Sequence, residues 1–459
     1  MSRLDHISFD QFNGAYFVGV GGIGMSALAR YFKSLGWEVS GYDKTPSALT
    51  HELINEGILI HFEDLGEVAI STLPNIQQTI FIYTPAIPRD HKELAFIRDK
   101  GLSLFKRSEV LGLITRQSKG LGVAGTHGKT TTSSMLAHIL NQSSQPCDAF
   151  LGGIATNFNS NLLIGKGAEY TVIEADEFDR SFLQLKPFAS IVTSTDADHL
   201  DIYGDSNEFI QGFQQYTQLI DQAGCLVKRE GLDVYSSAET ITYALDSESA
   251  DYAASNLRMD DGRFYMDVRT PNSLWSQVEL GIPGIHNAEN ALACIALLEF
   301  LSVSENEIRI GLSTFLGVKR RFEYHLRKPN LVYIDDYAHH PTELSALISS
   351  IRLLYPDKKI TGIFQPHLFS RTRDFFDGFA KELSKLDDVI LMPIYPAREL
   401  PIEGVSSEAL LEAISLKSKK ILSPEEVLES FKGFNEGVVL TIGAGDIDRI
   451  VEPLKMVLS

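Results

Sequence analysis

The sequence predicts an α/β protein of three domains. The amino-terminal one is Rossmann-like, the central one resembles a P-loop ATPase with a mostly parallel sheet plus a small antiparallel part, and the carboxy-terminal one is again Rossmann-like. Three observations lead there. Short apolar strands alternate with helical patterns along the chain. Two of those strands run into glycine loops that open helices, at Gly19 and Gly125. The 459 residues also exceed one core, at ~100 to 200 residues per domain. The connections near Arg107 and Gly317 divide the chain into 1–107, 108–317 and 318–459.

In the first part, Ala15 to Val20 reads as a buried strand, Met25 to Leu35 as an apolar-periodic helix closed by Gly36, and Trp37 to Tyr42 as the next strand. Ile80 to Tyr83 and Ser103 to Phe105 continue the sheet. The pattern restarts with a strand at Leu121 to Ala124 and a helix from Thr131 to Leu140. Strands Tyr170 to Ala175 and Ser190 to Ser194 lead into acidic residues, at the carboxyl edge where ligands of such sheets bind. Residues 228 to 281, with an Asp261-Gly262 hairpin signal, read as an antiparallel appendage before a helix at Asn287 to Phe300. The last part places strands at Leu331 to Asp335, Lys359 to Phe364, Val389 to Pro393 and Val438 to Ile442, with a helix at Pro341 to Leu354.

Composition excludes several classes. Forty-one Lys and Arg against sixty Asp and Glu give a net charge of -19, a field that repels nucleic acid and anionic membranes. An anionic substrate therefore needs clustered Arg, Lys and glycine-rich backbone. Cys147, Cys225 and Cys294 are odd in number and widely spaced, which argues against a disulfide framework and a cysteine zinc site and points to a reducing, cytoplasmic setting. Residues 1 to 12 lack a signal peptide's apolar core, and Glu299 interrupts the longest apolar helical stretch, Ala291 to Leu301, so no membrane insertion is expected. Oligomeric state is not legible.

Gly19-Val20-Gly21-Gly22-Ile23-Gly24 satisfies G-x-G-x-x-G between strand and helix, with Asp43 nineteen residues beyond Gly24. Glycines there let the backbone approach a diphosphate, whose charge the free N–H groups and the helix dipole stabilise. An NAD-dependent oxidoreductase, a nucleotide-sugar site and a bare tight turn all fit this spacing. The second loop, Gly125-Thr126-His127-Gly128-Lys129-Thr130-Thr131, supplies a nest of N–H donors, a lysine for the β and γ phosphates and a hydroxyl for magnesium. Val123 stands where the strict P-loop form has its first glycine. A simple dehydrogenase has no need of this ATP machinery. Glu174-Ala175-Asp176-Glu177 and Asp196-Ala197-Asp198-His199 follow strands and offer oxygen ligands for magnesium, or alternatively cap helices. His199 is either a ligand or an ordinary polar histidine.

Taken together the motifs resemble the Mur ligase family, ATP-dependent amide-forming enzymes of peptidoglycan precursor synthesis. The carriers are GVGGIGMSALAR from Gly19, AGTHGKTTT from Ala124, IEADEFDRSF from Ile173, DADHLDIY from Asp196, PGIHNAENA from Pro283, RRFEYH from Arg320, DDYAHHPTE from Asp335, FQPHLFSRTRDF from Phe364 and GAGDI from Gly443. The resemblance implies a UDP-sugar domain, a central ATP domain, and a carboxy-terminal domain that closes over both and receives the amino acid. It reassigns the first loop from NAD to a UDP diphosphate, through Gly19, Gly21, Gly22, Ile23 and Gly24 with Asp43, Thr84, Pro85, Ala86 and Arg107. Gly125 through Thr131 would hold ATP phosphates, His286, Asn287 and Asn290 would lie near the adenine, and Arg321 and Asp336 would reach the nucleotide. Thr130, Glu174 and His199 would be the magnesium set.

On the amino-acid side the resemblance implies Tyr337, His339, His367, Arg371 and Arg373. Lys129, His199, Arg321 and His339 are then the catalytic candidates, either histidine serving as base for the amine. The implied reaction adds L-alanine to the carboxylate of UDP-N-acetylmuramate through an acyl phosphate, with ATP and Mg2+. Two departures bear on this. Leu368 replaces an arginine frequent in the family, and no lysine lies between His199 and Cys225, where some branches use a modified one. A recycling ligase adding a preformed peptide and a non-catalytic UDP-sugar sensor are the rival readings.

Overall fold

The computed structural model describes residues 7–88, 90–196, 203, 205–260, 263–397 and 399–459. Its chain forms two compact units. One comprises Met1–Ser255, Asp267–Val278 and Asn290–Phe315, the other Asn256–Met266, Glu279–Glu289 and Leu316–Ser459.

Near the amino terminus a five-stranded sheet runs in the order Leu59–His61, Glu38–Tyr42, Gly14–Val18, Thr79–Tyr83, Leu104–Lys106, parallel throughout. The chain order reverses on either side of Gly14–Val18, so its carboxyl end is the switch point where such sheets bind ligands. Gly14–Val18 is wholly buried. It stops two residues before its expected end, because Gly19 turns the chain at φ +94° and the next helix, Ile23–Ser34, starts at the Gly22 cap. Helix Ala48–Asn55, not anticipated, is fixed by a capping box between Ser47 and Thr50.

A ten-stranded sheet follows, in the order Leu274–Leu280, Arg263–Arg269, Tyr252–Asp260, Glu239–Leu245, Cys225–Arg229, Ala189–Val192, Lys119–Ala124, Tyr170–Glu174, Cys147–Ala155, Ser160–Leu163. The expected antiparallel appendage is corrected in extent. Cys225–Arg229, Glu239–Leu245 and the start of Tyr252–Asp260 pair in parallel and extend the main sheet. Alternating burial along Glu239–Leu245 reports a half-exposed face, which either strand direction produces. The Asp261-Gly262 signal lies outside the described residues. An unanticipated antiparallel pair, Cys147–Ala155 with Ser160–Leu163, forms the opposite edge. The three cysteines are free and buried.

The last sheet, in the order Glu323–Arg327, Leu331–Asp336, Gly437–Ile442, Ile360–Phe364, Asp388–Leu391, Lys419–Ile421, is parallel except for its first pair. Apolar clusters around Ile334 and Phe364 and around Tyr333 and Ile363 cover its two faces, as expected of a doubly wound layer. Helix Pro341–Leu354 begins as the sequence predicts, with Pro at its first turn and His340 as its cap. Among the described residues no helix is long and apolar enough to cross a membrane.

Strand Lys119–Ala124 carries the second glycine loop and depends on a close approach. A Cβ on Gly122 would lie 2.0 Å from the Tyr216 hydroxyl. That ring is stacked on Phe182 and bonded to Ser190 Oγ at 2.9 Å. Gly122→Ala is expected to destabilise the chain by about 1 to 3 kcal/mol through overpacking, read as a lower melting temperature.

Candidate active site

The amino-terminal glycine loop meets its expected neighbours. Gly21 N–H donates to Asp43 Oδ2 at 2.7 Å, and Thr45 N–H donates to Oδ1 at 3.0 Å, so Asp43 braces the loop itself. A side chain on Gly19 would strike Thr84 at 2.8 Å, and one on Gly24 would strike the Arg107 guanidinium at 2.1 Å. Arg107 therefore lies against the first turn of Ile23–Ser34, where the helix dipole already favours an anion. Its Nη2 is 3.1 Å from Asp176 Oδ2, which ties this loop to the acidic run after Tyr170–Glu174. Pro85 and Ala86 form the exposed part of their turn.

In the second loop Gly125 (φ +134°) and Gly128 (φ +81°) adopt backbone that favours glycine. Their Cβ positions would fall 2.1 Å from Thr193 Oγ1 and 2.7 Å from Asn290 Oδ1. Asn290 thus borders this loop, a neighbour that the expectation of an adenine contact did not specify. His127 N–H donates to Ser194 Oγ at 2.9 Å, its ring Nε2 lies 3.4 Å from Asp196 Oδ2, and Thr126 Oγ1 donates to the Asp196 carbonyl at 2.6 Å.

Lys129 Nζ donates to the carbonyl of Gly125 at 2.7 Å, to that of Thr126 at 3.3 Å and to Glu177 Oε1 at 2.9 Å. Burial pushes the lysine pKa down, but Glu177, with Asp176 and Glu174 behind it, more than offsets this and leaves it above its ordinary value. The ammonium is charged at neutral pH. Burial in turn raises the Glu177 carboxyl, an effect that Lys129 opposes. Glu177 is the residue that sequence reasoning undervalued: its type and place after a strand suggested a solvated cap, yet it is 1% exposed.

Thr130 and Thr131 are buried in the first turn of helix Lys129–Gln142. Glu174 ends its strand with Oε2 accepting from Gly152 N–H at 3.1 Å. A hydroxyl and a carboxylate beside a phosphate loop are the oxygen donors magnesium prefers. The third expected member, His199, lies outside the described residues.

The second unit assembles most of the remaining candidates. Asp336 is buried, with Oδ2 accepting from Phe322 N–H at 2.7 Å and Oδ1 from Ala338 N–H at 2.8 Å. Burial, opposed by Arg321 and these bonds, pushes its pKa up to about 6. The Arg321 guanidinium lies over the Tyr337 ring at 4.8 Å and 3.9 Å from Glu343 Oε1. Glu343, in the quoted DDYAHHPTE run but given no role there, also accepts from His339 N–H at 2.9 Å.

His339 Nδ1 lies 3.0 Å from the Tyr337 carbonyl. That oxygen can only accept, so Nδ1 carries the proton and Nε2 presents its lone pair. Burial holds the His339 pKa below its usual value, and the ring is a neutral proton acceptor. His367 stacks on Tyr395 and has Nδ1 3.4 Å from Arg371 Nη1; burial and Arg371 push its pKa down to about 4. Arg373 is placed elsewhere, half-exposed and donating to Asp374 Oδ1 at 2.8 Å. His286 is held near Ser350, its pKa lowered to about 4 by burial and Arg321. Asn287 Nδ2 donates to the Pro283 carbonyl at 2.7 Å and braces its own helix start.

Comparison with known proteins meets this geometry from another direction. Residues 15–119 match the model of the Mur ligase family catalytic domain, 123–298 that of the Mur ligase middle domain, and 320–445 that of the Mur ligase glutamate ligase domain. The chain belongs to the Mur ligase family. Among Mur ligases, it is 47% identical to the UDP-N-acetylmuramate--L-alanine ligase of Cytophaga hutchinsonii over 99% of this chain and 97% of that one. It is 49% identical to the enzyme of that name from Parabacteroides distasonis over 96% of each chain. Its fold is similar to the crystal structure of the UDP-N-acetylmuramate-alanine ligase of Thermotoga maritima, with TM-score 0.80 and 27% identity over 96% of this chain and 98% of that one.

Asp336 gives this Mur ligase a pH signature. A carboxyl whose pKa is higher folded than unfolded binds extra proton in the native state, so its contribution to stability falls as pH rises through that window. For Asp336 the window is about pH 4 to 6. Asp336→Asn, which keeps the shape but not the charge, should be less stable than the parent at about pH 4. Its deficit should shrink by at most about 3 kcal/mol by about pH 7, read from paired melting curves.

Proposed function

We infer that the protein is an ATP-dependent ligase that joins L-alanine to the carboxylate of UDP-N-acetylmuramate, giving UDP-N-acetylmuramoyl-L-alanine, ADP and phosphate in cytoplasmic peptidoglycan precursor synthesis. The observation that carries this is the near end-to-end match at 47% and 49% identity to two ligases of that name. Residues 1–107 are assigned to the UDP-sugar, 108–317 to ATP, and 318–459 to the amino acid and part of the nucleotide.

An amide does not form spontaneously from a carboxylate and an amine in water, so the carboxylate must be activated. Its oxygen attacks the γ phosphorus of ATP to form an acyl phosphate and ADP. Gly125 through Thr131 surround the phosphates, with backbone N–H groups at the start of Lys129–Gln142 donating to them, while Lys129 and Arg321 neutralise charge on the transferring group. Magnesium, held by Thr130 and Glu174 with His199 as the proposed third ligand, would supply further charge neutralisation there. The neutral amine of alanine attacks the acyl carbon, and phosphate leaves the tetrahedral intermediate. The Nε2 lone pair of His339 accepts the amine proton; Arg371, beside His367 and with Leu368 unable to do so, holds the alanine carboxylate. Gly19 through Gly24 and Arg107 hold the UDP diphosphate, with Asp43 and Thr84 to Ala86 around it, and His286, Asn287 and Asn290 border the adenine. Tyr337 completes the acceptor side, and Asp336 orients Arg321.

Incubation with Mg-ATP, UDP-N-acetylmuramate and separately L-alanine, L-serine, glycine or a muropeptide should release phosphate with alanine and give a product heavier by one alanyl residue. Product only with the muropeptide would make the protein a recycling ligase, and folded protein giving neither would overturn the assignment. Lys129→Ala should lower turnover by more than ~10²-fold, and Arg371→Ala should raise the KM for alanine above all.

A further inference from the structure

We propose that the second unit carries a zinc-class divalent metal site formed by Glu323, His325 and Asp335, separate from the magnesium set and independent of the ligase reading. The site arises from the one antiparallel pair of the last sheet. Glu323 stands directly opposite Asp335, but the register slips between Tyr324 and Leu326, leaving His325 as the extra residue of a β-bulge. A bulge re-aims the side chain it carries. Here the imidazole turns to the side of Glu323 and Asp335, its ring 5.3 Å from that of Tyr333.

The three side chains offer ligand atoms that all lie within 4.8 Å of one another. The imidazole is 8% exposed. Its Nε2 is buried without a hydrogen-bond partner and faces Glu323 Oε2 at 3.7 Å. A buried ring nitrogen aimed at carboxylates and left without a hydrogen bond is an uncommon expense in a native core, and a metal ion satisfies it. Asp335 Oδ1 accepts from Thr441 Oγ1 at 2.6 Å, and Oδ2 lies 3.3 Å from Arg320 Nε, so each oxygen keeps a lone pair. Glu323 Oε2 accepts the Arg320 backbone N–H at 2.7 Å. Among the described residues no Lys or Arg forms an ion pair with Glu323, since the Arg320 guanidinium serves Asp335 and Asp448.

One nitrogen and two oxygens suit zinc better than magnesium, which prefers oxygen alone. Tetrahedral ligands at about 2.0 to 2.2 Å from zinc lie about 3.4 Å apart. The present spacing therefore closes by a rotamer adjustment of the partly exposed Glu323, with water as fourth ligand.

The test uses full-length protein stripped of metal by chelation and held free of nucleotide. Zn2+ is titrated by calorimetry, and Co2+ by the visible absorption of a tetrahedral site. The parent and His199→Ala should both bind one ion that His325→Ala and Glu323→Gln bind more than ~10-fold more weakly, since even supporting residues of metal sites cost that much. Should His325→Ala fail to fold, the near-isosteric Glu323→Gln decides alone. No such ion in the parent, equal binding in Glu323→Gln, or loss of the ion in His199→Ala would each overturn the proposal.

Discussion

Keeping the Lys129 ammonium charged inside the protein is the constraint around which the first unit's chemistry is arranged. A buried cation must be fully hydrogen-bonded and paired, and here two loop carbonyls and Glu177 do both. Those bonds fold the loop back on its own lysine, which requires the positive φ angles of Gly125 and Gly128. They also tie the turn after Lys119–Ala124 to the turn after Tyr170–Glu174, neighbouring strands of one sheet. Two of the loop's own N–H groups are likewise taken up inside, that of Thr126 by the Ser194 carbonyl and that of His127 by the Ser194 hydroxyl, which leaves an anion to the amides at the start of Lys129–Gln142. On the proposed assignment, a bound phosphate would let the lysine exchange one anion for another within the same small volume. Such an exchange avoids the cost of a bare buried charge at every stage.

Much of this was legible in the sequence, and the part that was not has a physical reason. A glycine loop between strand and helix is a backbone requirement written in residue type, so both loops and the helices behind them were found, to within two residues at their starts. Glu177 was not recognised because composition does not report burial: the same Asp-Glu pair is a cap in water and a counter-ion in a core. Strand direction along Glu239–Leu245 was missed because alternation encodes which face is buried and not the sense of the neighbour. The edge pair Cys147–Ala155 and Ser160–Leu163 was hidden by Gly152 and Gly153, which interrupt its apolar run. Gly152 is there because a Cβ would lie 2.2 Å from Glu174 Oε2, a packing reason that a linear reading cannot contain. The place of Thr84 beside the first glycine loop rested on family resemblance, and the approach of Asn290 to Gly128 was not foreseen, since nothing local to those residues announces either.

In the second unit the candidate residues are held by strained backbone. Arg320 and Phe322 have φ of +63° and +52°, and Leu368 has φ of +69°; each such residue costs about 1 to 3 kcal/mol and persists only when its surroundings over-determine it. For Arg320 the surroundings are Glu323 and the Gly443 carbonyl; for Phe322 they are Asp336. Arg321 is thus carried between two strained residues, each anchored by a carboxylate, which fixes the direction in which its long side chain leaves the backbone. Leu368 is anchored by the Tyr395 carbonyl and by Thr372, whose hydroxyl donates to the Leu368 carbonyl at 2.7 Å. Backbone at that place is therefore set by its neighbours, and the exchange of arginine for leucine removes a charge without needing a new loop. The cation beside His367 is then Arg371, delivered from the first turn of the adjoining helix.

A net charge of -19 opposes the approach of anionic substrates, and the pairing of the candidate cations bears on how such substrates are admitted. Arg107 rests on Asp176, Lys129 on Glu177 and Arg321 beside Glu343, so each of these three cations already has a carboxylate partner. An entering anion must compete with a carboxylate tethered at high effective concentration. A small singly charged ion brings one contact and loses that competition. A diphosphate or triphosphate brings several charges and can at the same time engage several backbone N–H groups at a helix start, which a single carboxylate cannot. On the proposed assignment, cations already paired with carboxylates beside helix starts favour polyphosphates over simpler anions, without a positively charged surface that would also draw in nucleic acid.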